Sequence, residues 1–208
     1  MQYFRCVRSS SAPVPVSDRV KLVEWDFMQA DNYAVDLING ISAQLSASLT
    51  HDENGLFFPT DQTGRIYIPE LNFLFLANPN FFTLEVDFGE TNMGTPSDNV
   101  RFVMFDTGNG FVFGGERGGS TKKWTVYNNA WVNTTGTPNT DLDYFSNKTL
   151  VLTHNSNKYL TVNDVYIANT GNLNGGLYIG SSSKSIYNSY VKAVRVYVNG
   201  TVPVVLSG

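Results

Sequence analysis

The sequence predicts an all-β chain in which two antiparallel sheets pack face to face behind an extended arm. Three observations carry that prediction. Apolar and polar residues alternate with a period of two from Val20 onward, turn-forming residues recur about every 8 to 12 positions, and no long stretch follows the helical period. Strands of this kind each present one apolar face, so a second sheet must cover it. With 208 residues the chain is long enough for one sizeable core and too short for two full domains.

Residues 1–17 form the predicted arm. Pro13 and Pro15 lack backbone donors and disfavour a helix at their predecessors, and the surrounding Ser residues add nothing apolar to bury. Residues 18–208 form the predicted sandwich. Its strands begin at 20–27 and continue through 41–49, where Ile41, Ala43, Leu45, Ala47 and Leu49 alternate with Ser42, Gln44, Ser46 and Ser48. Further strands are predicted at 65–68, 82–88, 100–105, 110–113, 123–127, 150–154, 159–162, 165–168, 177–179 and 190–198. Hairpin tips are predicted at 106–110, 163–164 and 171–176, where Gly, Asn and Asp supply the turn conformations. One helical turn is expected at 69–76. No repeat of about 20 to 50 residues points to a propeller or solenoid.

Composition narrows the function classes. Lys plus Arg number 14 and Asp plus Glu 18, a net charge of −4, and charged residues make up only 15% of the chain. Such a surface excludes a strong positive field for nucleic acid, and the apolar content excludes a disordered chain. No apolar run approaches the ~20 residues of a membrane-spanning helix. Cys6 is the only cysteine, so no internal disulfide forms.

Several segments, in order, resemble the laminin-G-like branch of the concanavalin A-like lectin and glucanase superfamily. Leu22-Val-Glu-Trp-Asp-Phe27, followed by Asp36-Leu-Ile-Asn-Gly40, is similar to that family's first strand and loop. Gly55-Leu-Phe-Phe58, Tyr67-Ile-Pro69 and Phe82-Thr-Leu-Glu-Val86 resemble its next run. Leu150-Val-Leu-Thr-His154 with Lys158-Tyr-Leu-Thr-Val-Asn163 resembles its late hairpin, and Leu177-Tyr-Ile-Gly180 with Val191-Lys-Ala-Val-Arg-Val-Tyr-Val198 its closing strands. The resemblance implies a jelly-roll sandwich that binds ligands on rim loops or on the concave face. Its members serve as lectins, protein-binding modules and adhesive domains.

Two constellations are candidates for chemistry. Glu85-Val-Asp87-Phe-Gly-Glu90 places Glu85 and Asp87 on one strand face, and a bulge at Gly89 would bring Glu90 to it. This resembles the E-x-D-x-x-E signature of family 16 glycoside hydrolases, which implies Glu85 as nucleophile, Glu90 as acid/base and Asp87 as the group tuning both. An amphipathic strand with a wet acidic face explains the same residues. The second constellation is aromatic: Trp124, Tyr127, Trp131 and Tyr144 lie among Asn, Thr and Gly, a composition that suits sugar rings and their hydroxyls. Trp124 is assigned to the core and Trp131 to an exposed loop, and Trp25 is structural.

The ligand-binding residues expected are therefore Asp106, Asn109, Trp131 and Tyr187. His51 and His154 have no ligand-spaced partner, so no metal centre is expected. No cofactor is expected; calcium is the alternative, with oxygen donors at Asp106 and Asn109 or at Asp141 and Asp143. The expected function is a non-catalytic recognition or decoration module on a virion, such as a phage head or tail fibre, that binds host-surface glycans. The chain is thus expected not to be an enzyme. The alternative is a retaining β-glucan hydrolase using Glu85 and Glu90. Expected partners are a carbohydrate or host receptor and, through residues 1–17, other virion proteins, with no nucleic acid or membrane. A fibre would favour a homo-oligomer. The expected location is the virion, with the cytoplasm or cell surface as alternatives.

Overall fold

The computed structural model of the chain describes residues 19–59, 64–68, 82–91, 100–106, 111–118, 121–128, 131–133, 147, 149–154, 159–162, 165–169, 176–180 and 188–199. The predicted arm, 1–17, and the predicted helical turn, 69–76, lie outside them. Among the described residues fifteen strands follow one another: β1 (Arg19–Asp26), β2 (Gln44–Leu45), β3 (Thr50–Asp52), β4 (Gly55–Phe58), β5 (Arg65–Ile68), β6 (Phe82–Thr91), β7 (Val100–Asp106) and β8 (Phe111–Gly118), then β9 (Thr121–Asn128), β10 (Trp131–Asn133), β11 (Thr149–His154), β12 (Tyr159–Val162), β13 (Val165–Asn169), β14 (Leu177–Gly180) and β15 (Ser189–Asn199). Every pairing is antiparallel, and no helix occurs among the described residues.

The strands divide into an eight-stranded sheet ordered β13-β12-β11-β6-β15-β4-β3, with β1 also paired to β15, and a seven-stranded sheet ordered β10-β9-β8-β7-β14-β5-β2. The longest strand, β15, organises the larger sheet. Along one side it pairs with β6. Along the other it pairs first with β4 and then with β1, and Phe27 N–H bridges the junction by donating to Lys192 O at 2.8 Å.

Alternation decides which side of each strand meets the core. In β6, Leu84, Val86 and Phe88 are buried, and in β15 so are Val194, Val196 and Val198. From the seven-stranded sheet Ile66, Ile68, Leu177 and Ile179 meet them, and the two layers enclose one cluster that includes Trp25, Phe27 and Phe58. Trp25 is fully buried and its Nε1–H donates to Ile41 O at 3.2 Å, as the structural assignment requires. The chain is thus a two-sheet antiparallel sandwich.

Two expectations are corrected. The alternation over 41–49 does not make one strand. Only Gln44 and Leu45 join the ladder, because Ser46 takes over the backbone groups of Arg65, accepting its N–H and donating its own N–H and hydroxyl to its carbonyl. Leu49 N–H then turns back to Ser46 O. Nor is 171–176 a hairpin tip, since β13 ends at the edge of the larger sheet and β14 lies inside the smaller one. That segment links layers.

Candidate functional site

Register builds a continuous row across the seven-stranded sheet. Gln44 pairs with Tyr67, Tyr67 with Tyr178, Tyr178 with Asp106, Asp106 with Val112, Val112 with Tyr127, and Tyr127 with Trp131. Directly paired residues in antiparallel strands share a face. Ile66, Ile68, Leu177 and Ile179 are buried on either side of Tyr67 and Tyr178, so these two tyrosines turn away from the core. In the same ladder Trp124 pairs with Gly115.

The described part of the row is an aromatic platform. The rings of Tyr67 and Tyr178 stack with centroids 4.5 Å apart and 15° between planes. The Arg65 guanidinium sits over the Tyr178 ring, 5.2 Å from its centroid. Gly180, two residues along from Tyr178, pairs with Arg65 and so stands beside that guanidinium's strand. Flat rings and a guanidinium together suit a ligand with an apolar face and many hydroxyls.

Of the residues predicted to bind ligand, Asp106 and Trp131 fall in this row, at the end of β7 and the start of β10. Asn109 and Tyr187 lie outside the described residues, as do Asp141 and Asp143. Tyr67 and Tyr178 were missed. Their signal is present in the sequence, an aromatic between two core aliphatics in Ile66-Tyr67-Ile68 and Leu177-Tyr178-Ile179. Among the described residues no cluster of three or more His, Cys, Asp or Glu is arranged to hold a metal ion.

The acidic motif lies on the other layer, on the outward face of the eight-stranded sheet. Glu24, Arg195, Glu85 and Val151 form one row by register. Arg195 Nε meets Glu24 Oε1 at 2.9 Å, its Nη2 meets Asp87 Oδ2 at 2.7 Å, and its Nη1 stands 3.9 Å from Glu85 Oε2. Tyr197 donates its hydroxyl to Glu85 at 3.1 Å, Thr149 donates to Asp87 Oδ1 at 2.6 Å, and Lys21 reaches Glu24 at 2.7 Å. The hydrogen bond to Asp87 holds the Arg195 guanidinium still further above its ordinary value. Burial by itself raises the Glu24 carboxyl, but the hydrogen bonds from Lys21 and Arg195 outweigh it and hold the group below the usual carboxylate value. The β6 register does shift at Gly89, and Glu90 is exposed. Glu85 and Asp87 are thus members of a cross-strand ion network centred on Arg195.

No family model matches the sequence, and no curated protein matches it. Solved structures do share its fold. The Trypanosoma rangeli sialidase in complex with sialic acid aligns with a TM-score of 0.53 and 17% identity over 91% of this chain and 32% of the sialidase. Domain 4 of an extracellular family 43 arabinanase from Geobacillus stearothermophilus, in complex with arabinotriose, aligns with a TM-score of 0.55 and 9% identity over 89% of this chain and 96% of that domain. The binding domain of botulinum neurotoxin serotype D gives 0.53 and 11%, over 88% and 49%. This chain spans about a third of the sialidase chain. At such identities the likeness shows the fold, a β-sandwich that recurs in glycan-processing chains. The expectation that the chain is not an enzyme is corrected here: the sialidase and the arabinanase are enzymes, so the sandwich does not mark a chain as non-enzymatic.

Proposed function

We propose that this chain is a glycan-binding β-sandwich module whose ligand lies along the aromatic row of the seven-stranded sheet. One observation carries the reading: register aligns Tyr67, Tyr178, Asp106, Tyr127 and Trp131 in one row across the seven-stranded sheet, with Tyr67 and Tyr178 stacked. The likeness to a sialidase complexed with sialic acid and to an arabinanase domain complexed with arabinotriose supports the ligand class. A glycan array spanning neutral and acidic oligosaccharides identifies the ligand, and Tyr178→Ala tests the site. Losing a ring worth about 1 kcal/mol of stacking weakens binding roughly fivefold. Binding of the identified glycan unchanged by Tyr178→Ala removes the row as the site.

Two finer parts belong to the same proposal. The glycans are those of a host surface, and the module is displayed on a virus particle through residues 1–17. The low-charge composition and the Ser/Pro-rich leader support this part. A chain lacking residues 1–17 is expected to keep its glycan binding and lose co-assembly with particle proteins. Unchanged assembly overturns the docking role.

A further inference from the structure

The opposite layer holds a cavity of about 220 Å³, lined by Asp87, Phe88, Asn147, Thr149 and Lys192. The geometry points to this cavity as a separate subsite for a neutral sugar unit, so that the module binds carbohydrate on both of its faces. The inference takes its ligand class from the function proposed above and adds a site that the aromatic row does not contain.

Each wall is held in place before any ligand arrives. Asp87 is fixed by Thr149 at one oxygen and by Arg195 at the other. Asn147 has a left-handed backbone, φ 52°, locked by its N–H donating to Gly89 O at 2.8 Å. Gly89 also decides the position of Lys192. A Cβ on residue 89 would lie 3.1 Å from Lys192 Cε and 2.8 Å from Tyr190 Cβ, so the missing side chain gives the lysine stem its place against the strand. Lys192 has no carboxylate partner among the described residues, whereas Lys21 and Arg195 on the same face are both paired.

The cavity therefore sets donors beside an acceptor. Lys192 and Asn147 bring N–H groups, and each Asp87 oxygen keeps a lone pair beyond the bond it already accepts. A sugar hydroxyl both donates and accepts, so adjacent hydroxyls satisfy both kinds of wall at once. A sugar carboxylate cannot donate, and it would bring a like charge up to Asp87 in a chain of net charge −4. Neutral hexoses and pentoses fit; acidic sugars are disfavoured.

Calorimetric titration of the full chain with a panel of neutral hexoses and pentoses, and with sialic acid for comparison, tests this. Two classes of site are expected for a bound neutral sugar. Lys192→Met keeps the stem and removes the ammonium, and Asn147→Gly keeps the left-handed backbone and removes the amide. Each is expected to weaken one class by about tenfold or more, as loss of a hydrogen bond between charged or oriented partners does, and to leave the other class intact. Tyr178→Ala does the reverse. Sugar binding in which no class of site responds to Lys192→Met or Asn147→Gly, or tighter binding of sialic acid at the Lys192 site, overturns the inference. Loss of the Lys192 class with no response to Tyr178→Ala upholds it and overturns the aromatic row instead.

Discussion

Tyr197 ties a neutral strip of the larger sheet to its ion network. Its register partners are Lys21 and Thr83, and Thr83 Oγ1 lies 3.2 Å from Thr153 Oγ1, while its own hydroxyl donates to Glu85. Burial, reinforced by the Glu85 carboxylate, pushes the phenol up to about 12. An unfolded tyrosine titrates near 10, so between about 10 and about 12 the folded chain keeps a proton that the unfolded chain has released. Tyr197 therefore stabilises the fold fully below pH ~10, and that contribution fades as pH rises toward 12. Urea unfolding of the wild type and Tyr197→Phe at about pH 9 and pH 11 reads this directly: the stability gap between them shrinks at the higher pH. A gap of equal size at both would show that the phenol proton has no part in it. Asp36 makes the complementary point about single residues. The loop it opens was legible as a motif, and the structure supplies the reason: its buried carboxylate accepts the N–H groups of Glu24 and Asn39 and pins the loop to β1.

Elements were legible where alternation was strong and long. In β6 buried Leu84 and Val86 are each followed by a half-buried acid, in β15 buried Val194 and Val196 alternate with half-buried Arg195 and Tyr197, and both strands lie close to their expected bounds. The hairpin of β3 and β4 left a weaker mark, because Thr50-His-Asp52 carries no apolar period and only Asn54-Gly55 signals the turn. At φ 113°, with Val191 O 2.7 Å from the place of a Cβ, position 55 admits only glycine without strain. The 41–49 segment failed in the opposite sense: its alternation is real, yet Ile41 and Ala43 are buried from a chain outside the ladder. A period of two reports which side of the chain is wet, and hydrogen bonding to a neighbour is a separate requirement that Ser46 diverts. The proposed site was half legible for a related reason. Asp106 and Trp131 stood out by residue type, but their alignment with Tyr67 and Tyr178 depends on register between strands far apart in sequence, which no local pattern encodes.

That dependence on distant pairing governs the whole molecule. The strand nearest the chain's beginning among those described, β1, pairs with the last, β15, and Arg19 meets Asn199 across the intervening length of the domain. β15 is also the sole described neighbour joining β6 to β4. Until it docks, β1 and β4 have no ladder on that side, and the buried side chains of Trp25, Phe27, Leu56 and Phe58 lack Val191, Val194 and Val196 in the same core cluster. Closure entropy must be met before these contacts form, so the fold belongs to the slow, high-contact-order class, with folding times of roughly milliseconds to seconds. A chain truncated after Gly180 is expected to show no cooperative urea transition and a solvent-like Trp25 emission, while the full chain unfolds in one transition. A cooperative transition in the truncated chain would show that the remaining strands close a core on their own.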